Sequence, residues 1–469
     1  MAYSTIDKST DYFNTNLYTG NGSTQHSITG VGFKPDWVWI KSRDDAYNHF
    51  LFDAVRGVGK QIYSNTTGAE ATNMNNLYSF NADGFSLAQS GNDDVTNKNN
   101  SNFVSWNWLA GGTAPSQTYT VKVVSDSGNK YRFDDFGTSA VTLDLQEGGT
   151  YTFDQSDSSN SGHPLRFYTA SDKSGGEYTT GVTTNGTPGS SGAYTRITVA
   201  ASAPTLYYQC SSHAGMGGQA NTNSTFGSSN FSGSIQSTVS ANTTAGFSIV
   251  KYTASGSNAT IGHGLGVAPA WIIVKGRTTD NNWRVGHNGL TSWAYRINLE
   301  GTAAESSQAN VWNSTAPTSS VFSIGTSSSV NDDSGGGVEH IAYCFAEKKG
   351  YSKFGSYTGN NKADGPFVYL GFRPAWLLVK DRGSGQHWHV IDNKRETFND
   401  GDAAHLSPNS NDSEATVKSN RGTANIDFLS NGFKINRDGS LLNGTGQFIY
   451  MAFAESPFVN SNGVPVNAR

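Results

Sequence analysis

The sequence predicts an all-β chain of several domains, and three observations carry that reading. Short runs of β-branched and aromatic residues alternate with Gly, Asn, Asp and Ser clusters, the pattern of many strands joined by turns. Aromatic residues reach 12% while charged residues stop at 15%, and Gly alone counts 54, a balance that buries enough surface to fold yet supplies few helix formers. One strand pattern also recurs three times, so most of the 469 residues divide into copies of one unit.

The first copy reads Gly32-Phe-Lys-Pro35-Asp-Trp37-Val-Trp39-Ile40-Lys41-Ser-Arg43. The second runs from Gly266 through Pro269 and Trp271 to Lys275 and Arg277, and the third from Gly371 through Pro374 and Trp376 to Lys380 and Arg382. A Tyr stands nineteen residues before each Trp (Tyr18, Tyr252, Tyr357), and a ring stands twelve after it (His49, Trp283, Trp388). Four further on lie Asp53, His287 and Asp392. Each copy closes on an apolar strand, around Phe103–Trp108, Ile341–Phe345 and Ile449–Phe453.

Pro fixes φ and lacks an N–H, which suits the entry of a strand. Beyond it, side chains alternate between faces, so Trp37, Trp39 and Lys41 share one side and Val38 and Ile40 the other. Apolar bulk on both sides predicts a central sandwich strand. The paired cations Lys41/Arg43, Lys275/Arg277 and Lys380/Arg382 have two readings. They ion-pair with the acid sixteen residues past the Trp or lie in solvent, or they form a clamp for a glycan or carboxylate. Trp283 and Trp388 read as core, with sugar stacking as the alternative.

These repeats resemble a domain of unknown function that recurs in predicted structural and fibre-like proteins of marine bacteriophages. The resemblance covers residues 10–112 and 245–458. It implies a place in a virion assembled in the host bacterial cytoplasm and supplies no active residues.

Residues 113–222 read differently. After the Gly- and Pro-containing linker at Gly111–Pro115 come six short strands that predict a small β-sandwich. The last ends in Cys210-Ser-Ser-His213-Ala-Gly-Met216, and an earlier one begins His163-Pro-Leu-Arg-Phe167. Cys-x2-His-x2-Met after a Tyr-Tyr strand resembles the ligand loop of cupredoxins, with amicyanin-like spacing, and the resemblance makes His163 the other imidazole ligand. A thiolate, two imidazoles and an axial thioether form a trigonal type 1 copper site. Where that family usually has Asn after the first histidine, this chain has Pro164. The alternative is a cupredoxin fold with an empty site.

The expected organisation is repeat 1 over 1–112, a cupredoxin-like domain over 113–222, and a Ser/Thr/Asn/Gly-rich linker over 223–244. Repeat 2 follows over 245–349, repeat 3 over 350–458 and a tail over 459–469. The net charge of −5 and the lack of a basic run argue against nucleic acid. No apolar stretch predicts membrane insertion, and the N-terminal residues lack a signal-peptide pattern. No nucleophile elbow, P-loop, dinucleotide fingerprint or zinc motif appears, so a non-enzymatic role is expected. Acidic pairs at Asp44-Asp45, Asp93-Asp94 and Asp332-Asp333 read as solvated turns, with calcium binding as the alternative, and Cys344 as a core position. The leading expectation is a tail-associated, fibre-like virion component for host attachment or particle assembly, contacting other virion proteins and a surface glycan or receptor. A homotrimer is the expected oligomer. Capsid decoration or a head fibre, copper-dependent electron transfer and a lectin-like module are the alternatives.

Overall fold

A computed structural model describes the chain except residues 1–3, 89–95, 223–225, 396–398, 400–402, 423, 440, 461 and 465–469; Asp93-Asp94 therefore lies outside the described residues. The fold is all-β. Helix is confined to short pieces, of which Glu414–Arg421 is the longest described.

Each repeat builds its main sheet in the same order: first strand, last strand, Trp strand, then the strand after it. In repeat 1 these are Phe13–Thr19, Asn102–Trp108, Trp37–Ser42 and Phe50–Asp53. Repeat 2 uses Phe247–Thr253, Glu339–Phe345, Trp271–Gly276 and Arg284–His287, and repeat 3 uses Ser352–Thr358, Gln447–Pro457, Phe372–Asp381 and Trp388–Asp392. A small second sheet covers one face in every copy, for example His26–Ile28, Gly84–Leu87 and Ser79–Asn81 in repeat 1.

The predicted alternation holds residue by residue. Val38 and Ile40 pack under the small sheet of repeat 1, as Ile272 and Val274 do in repeat 2 and Leu377 and Val379 in repeat 3. The opposite faces meet in one shared core containing Trp37, Trp39, Trp271, Ile273, Trp376 and Leu378. Trp37 stacks on Tyr343 of repeat 2 at 4.5 Å, and Trp108 meets Trp376 of repeat 3 edge-on at 5.5 Å. Phe345 of repeat 2 and Phe453 of repeat 3 close the set at 6.0 Å. Each fully buried aromatic contributes on the order of 1.5–3 kcal/mol, so this common core is what holds the three copies together.

The insert is a separate sandwich with its own core, from Tyr119 and Val121 through Tyr208 and Cys210. Its strand Ser116–Ser125 runs parallel to Thr150–Asp154 and antiparallel to Asn129–Phe133.

Within the stretch expected to be a linker, residues 228–242 instead contribute two strands. Strands Ser228–Asn230 and Ser237–Asn242 extend the sheet of repeat 2 by pairing with each other and with Phe247–Thr253. They also seat the insert. Tyr119 Oη donates to Ser229 O at 2.8 Å, Tyr151 Oη and Ser228 Oγ lie 2.8 Å apart, and Phe231 enters the insert's core. Ser and Thr hydroxyls that look like linker composition are here the polar partners of an interface.

Candidate metal centre

Cys210 ends the strand Leu206–Cys210 and pairs across the sheet with Leu165. His163 lies two residues before Leu165, so the antiparallel register alone brings it beside the thiol. The turn Ser211–Met216 then folds His213 back over the same spot. Cys210 Sγ is 3.9 Å from His163 Nδ1 and 3.5 Å from His213 Nδ1, and the three donor atoms lie within 4.8 Å of one another. Met216 is buried, 1% exposed, in the core that also holds Cys210.

These distances suit a metal. A trigonal centre with metal–nitrogen and metal–sulfur bonds of about 2.0 and 2.3 Å separates its sulfur and nitrogen donors by roughly 3.7 Å. The two observed separations bracket that value. Both imidazoles turn Nδ1, not Nε2, toward the sulfur. Partial burial, and secondarily the adjacent His213 ring, hold His163 below the usual imidazole range; the neutral form is the one that ligates.

The supports of the site come from elsewhere in the insert. The His163 carbonyl accepts from Tyr131 Oη at 2.8 Å and Gln155 Nε2 at 2.9 Å, while Gln155 Oε1 takes the Leu165 N–H at 3.0 Å. Lys173 Nζ donates to the carbonyls of Cys210 and Ser211, each at 3.2 Å. Pro164 cannot donate a bond between the two ligand segments, but its carbonyl accepts from Ser211 N at 2.9 Å and fastens them. Gly217 is required by space, since a Cβ there would fall onto the Tyr208 carbonyl. Its N–H is held by Gln209 Oε1 at 3.1 Å. Outer contacts of this kind fix ligand orientation. Tyr131, Gln155 and Lys173 carry no local sequence signal, because each reaches the site from a distant turn or strand.

The repeat cations go elsewhere. Asp53 pairs opposite Trp37, six residues along from Arg43, or roughly 20 Å at strand rise, too far for the expected ion pair. Asp53 is bound instead by Arg56, and Asp392 by Arg395. Arg43, Arg277 and Arg382 cross to another copy. Arg43 meets Glu414 of repeat 3 at 2.9 Å, Arg277 meets Glu70 of repeat 1 at 2.9 Å, and Arg382 meets Glu305 of repeat 2 at 2.7 Å. Each Glu also donates its N–H to the carbonyl of the same Arg. The ties run in a cycle: repeat 1 to 3, 2 to 1, 3 to 2. A Glu between thirty-three and thirty-eight residues past each marker Trp was the available signal for this closure.

The lysines are buried. Lys275 Nζ donates to the carbonyls of Thr67, Gly276 and Thr279, and Lys380 Nζ to those of Thr302, Asp381 and Ser384. Lys41 Nζ reaches the carbonyls of Ser42 and Asp45. All six cations thus have partners within the chain. Trp283 and Trp388 are fully buried, and their indole N–H groups donate to Tyr63 O and Asn298 O of another copy.

Residues 8–132 and 220–457 match a family described as a domain of unknown function, DUF7483. The chain belongs to this family. No curated protein and no solved structure is matched. The DUF7483 match takes in all three repeats and every Arg–Glu tie, so the closed three-repeat ring is covered by a single family match. It leaves out residues 133–219, where His163, Cys210, His213 and Met216 all lie. The metal-type cluster is therefore carried by a segment set into the DUF7483 fold.

Burial pushes Lys41 down to about 7 and Lys275 and Lys380 to about 8. Unfolded lysine titrates near ~10.4. Between about pH 8 and about pH 10 the unfolded chain binds more protons than the folded one, so stability rises with pH across that window. The melting temperature should climb from about pH 7.5 to about pH 9.5, less steeply in Lys275→Met. A flat wild-type profile would contradict the assigned lysine environment.

Proposed function

We propose that this chain is a non-catalytic scaffold whose inserted sandwich binds one copper ion in a type 1 site. His163 Nδ1, Cys210 Sγ and His213 Nδ1 would hold the ion, with the thioether of Met216, buried in the same core as Cys210, as a further donor. The convergence of the three donor atoms within 4.8 Å, from a strand end and a tight turn, carries this reading. A thiolate with two imidazoles selects copper over the harder cations, and a rigid β-sandwich limits rearrangement when the metal changes oxidation state. Bound copper supplies one-electron chemistry. The residues of this chain orient the donors through Gln155, Tyr131 and Lys173, and the apolar core around Met216 limits water on one side.

Copper(II) added to the purified chain should produce an intense visible sulfur-to-copper charge-transfer band at one equivalent. Cys210→Ser should abolish the band while leaving the fold intact. A colourless protein at full copper saturation would remove this reading.

A second reading concerns the ring. A self-closed module of three sandwiches, with its repeated cations consumed internally, suits construction of a particle surface, and the resemblance to phage fibre-like domains points to a virion, tail-associated or decorating a capsid. A homotrimer of such rings would extend that surface. Co-sedimentation of the chain with purified particles, and its molar mass in solution, test this; a monomer found only in the soluble fraction would oppose it.

A further inference from the structure

Repeat 3 contains a cavity that the other two copies give no reason to expect. It measures about 340 Å³ and is lined by Gln386, His387, His389, Asn420, Arg421 and Arg437 among others. His389 is 1% exposed, yet neither of its ring nitrogens has a hydrogen-bond partner among the described residues. A buried polar group left unmet is destabilising, so it calls for a partner.

The repeat register makes this position informative. Where repeat 3 has His389, repeat 1 has Phe50, packed in an apolar core, and repeat 2 has Arg284, bonded to Asn298 Oδ1. Packing alone therefore does not require a histidine there. Behind it lies the His405 ring, 4.9 Å away, and beside it His387, held by Asn409 at 3.0 Å. Burial, then the nearby His405, His387, Arg421 and Lys380, keeps His389 well below the usual imidazole range, so it presents one N–H donor. Arg421 is anchored by Asp412 at 2.6 Å and by Ser407 Oγ at 3.3 Å. The anchor fixes the guanidinium in place. Two guanidinium groups, one of them paired with Asp412, two carboxamides and an unmet imidazole make the lining of this small cavity rich in donors.

We infer that this cavity binds a ligand through a single oxyanion head group, a phosphate or a carboxylate, with Arg421 and Arg437 supplying charge and His389 a buried donor. Charge-assisted hydrogen bonds of this kind are worth roughly 1.5–3 kcal/mol each, or about tenfold to a hundredfold in affinity.

Calorimetric titration of the full-length chain with inorganic phosphate, and separately with glucuronate, at constant ionic strength tests the site. Saturable binding at one equivalent is expected for at least one of them. Phosphate preferred over glucuronate would mark a phosphorylated ligand, and the reverse an acidic sugar. Arg437→Gln and His389→Phe should each weaken binding about tenfold or more. His389→Phe installs the residue of repeat 1, so it should fold with unchanged or higher melting temperature. Arg196→Gln, in the insert, should bind as wild type. No saturable heat with either anion, or equal binding by both cavity variants and wild type, would overturn the assignment.

Discussion

Asp53→Ala should lower folding stability by about 3–5 kcal/mol, because it strands a buried cation. The Asp53 and Arg56 side chains are both fully buried. Asp53 also takes the Arg56 N–H at 2.8 Å and the Tyr343 hydroxyl of repeat 2 at 2.7 Å, so one carboxylate serves two repeats. Burial opposes the Arg56 charge, yet Asp53, Tyr343 and Glu70 raise its pKa above the ordinary guanidinium value. The third copy repeats the device with Asp392 and Arg395, and there Trp106 of repeat 1 donates to Asp392 at 3.0 Å.

The second copy shows the alternative solution. It places His287 and Leu290 at the equivalent positions, and Leu290 packs in the shared core. Asp53→His with Arg56→Leu should therefore recover most of the stability lost in Asp53→Ala. Chemical denaturation of the two variants and the wild type measures this. A single substitution costing no more than a surface pair, under about 1 kcal/mol, would show that the pair is solvated.

Trp376→Ala is the second large effect, expected at about 3–5 kcal/mol. Its ring lies 5.5 Å from Trp108, 6.3 Å from Trp106 and 6.2 Å from Phe13, all in repeat 1, and 5.9 Å from Phe453 in its own copy. The truncation opens a void where two repeats meet. Because the core is common property, the whole ring should melt earlier as one transition in scanning calorimetry. Loss confined to a separate third-repeat transition would mean that the copies fold independently. The Arg–Glu ties are smaller in energy, since the arginines keep some exposure, and their contribution is register: each copy can meet only one neighbour in one orientation.

What could be read from the sequence was local. Period-two alternation placed Trp37 and Trp39 on one side and Val38 and Ile40 on the other, and both sides are buried. The resemblance to a cupredoxin ligand loop marked His163, Cys210, His213 and Met216 as candidates, but that His163, Cys210 and His213 meet in space depends on the antiparallel register of Leu165 with Cys210, which spacing does not give. Cys344 is buried, and burial pushes its thiol up, as a core position requires.

Ring closure was not legible. Arg43 and Glu414 are separated by 371 residues, and a surface-type cation pattern does not say which copy holds the partner. The segment Ser237–Asn242 misled for a related reason. Its composition suits a linker, yet its hydroxyls and backbone bond to the insert and to Phe247–Thr253. Polar residues form strands when their partners are supplied by another domain, and composition carries no record of that domain.

X-ray absorption at the copper edge, on the chain loaded with one equivalent, reads the donor set of the inserted sandwich. One short sulfur neighbour accompanied by two imidazole nitrogens is predicted, with the sulfur shell missing in Cys210→Ser. A first shell of nitrogen and oxygen alone in the wild-type chain would contradict it.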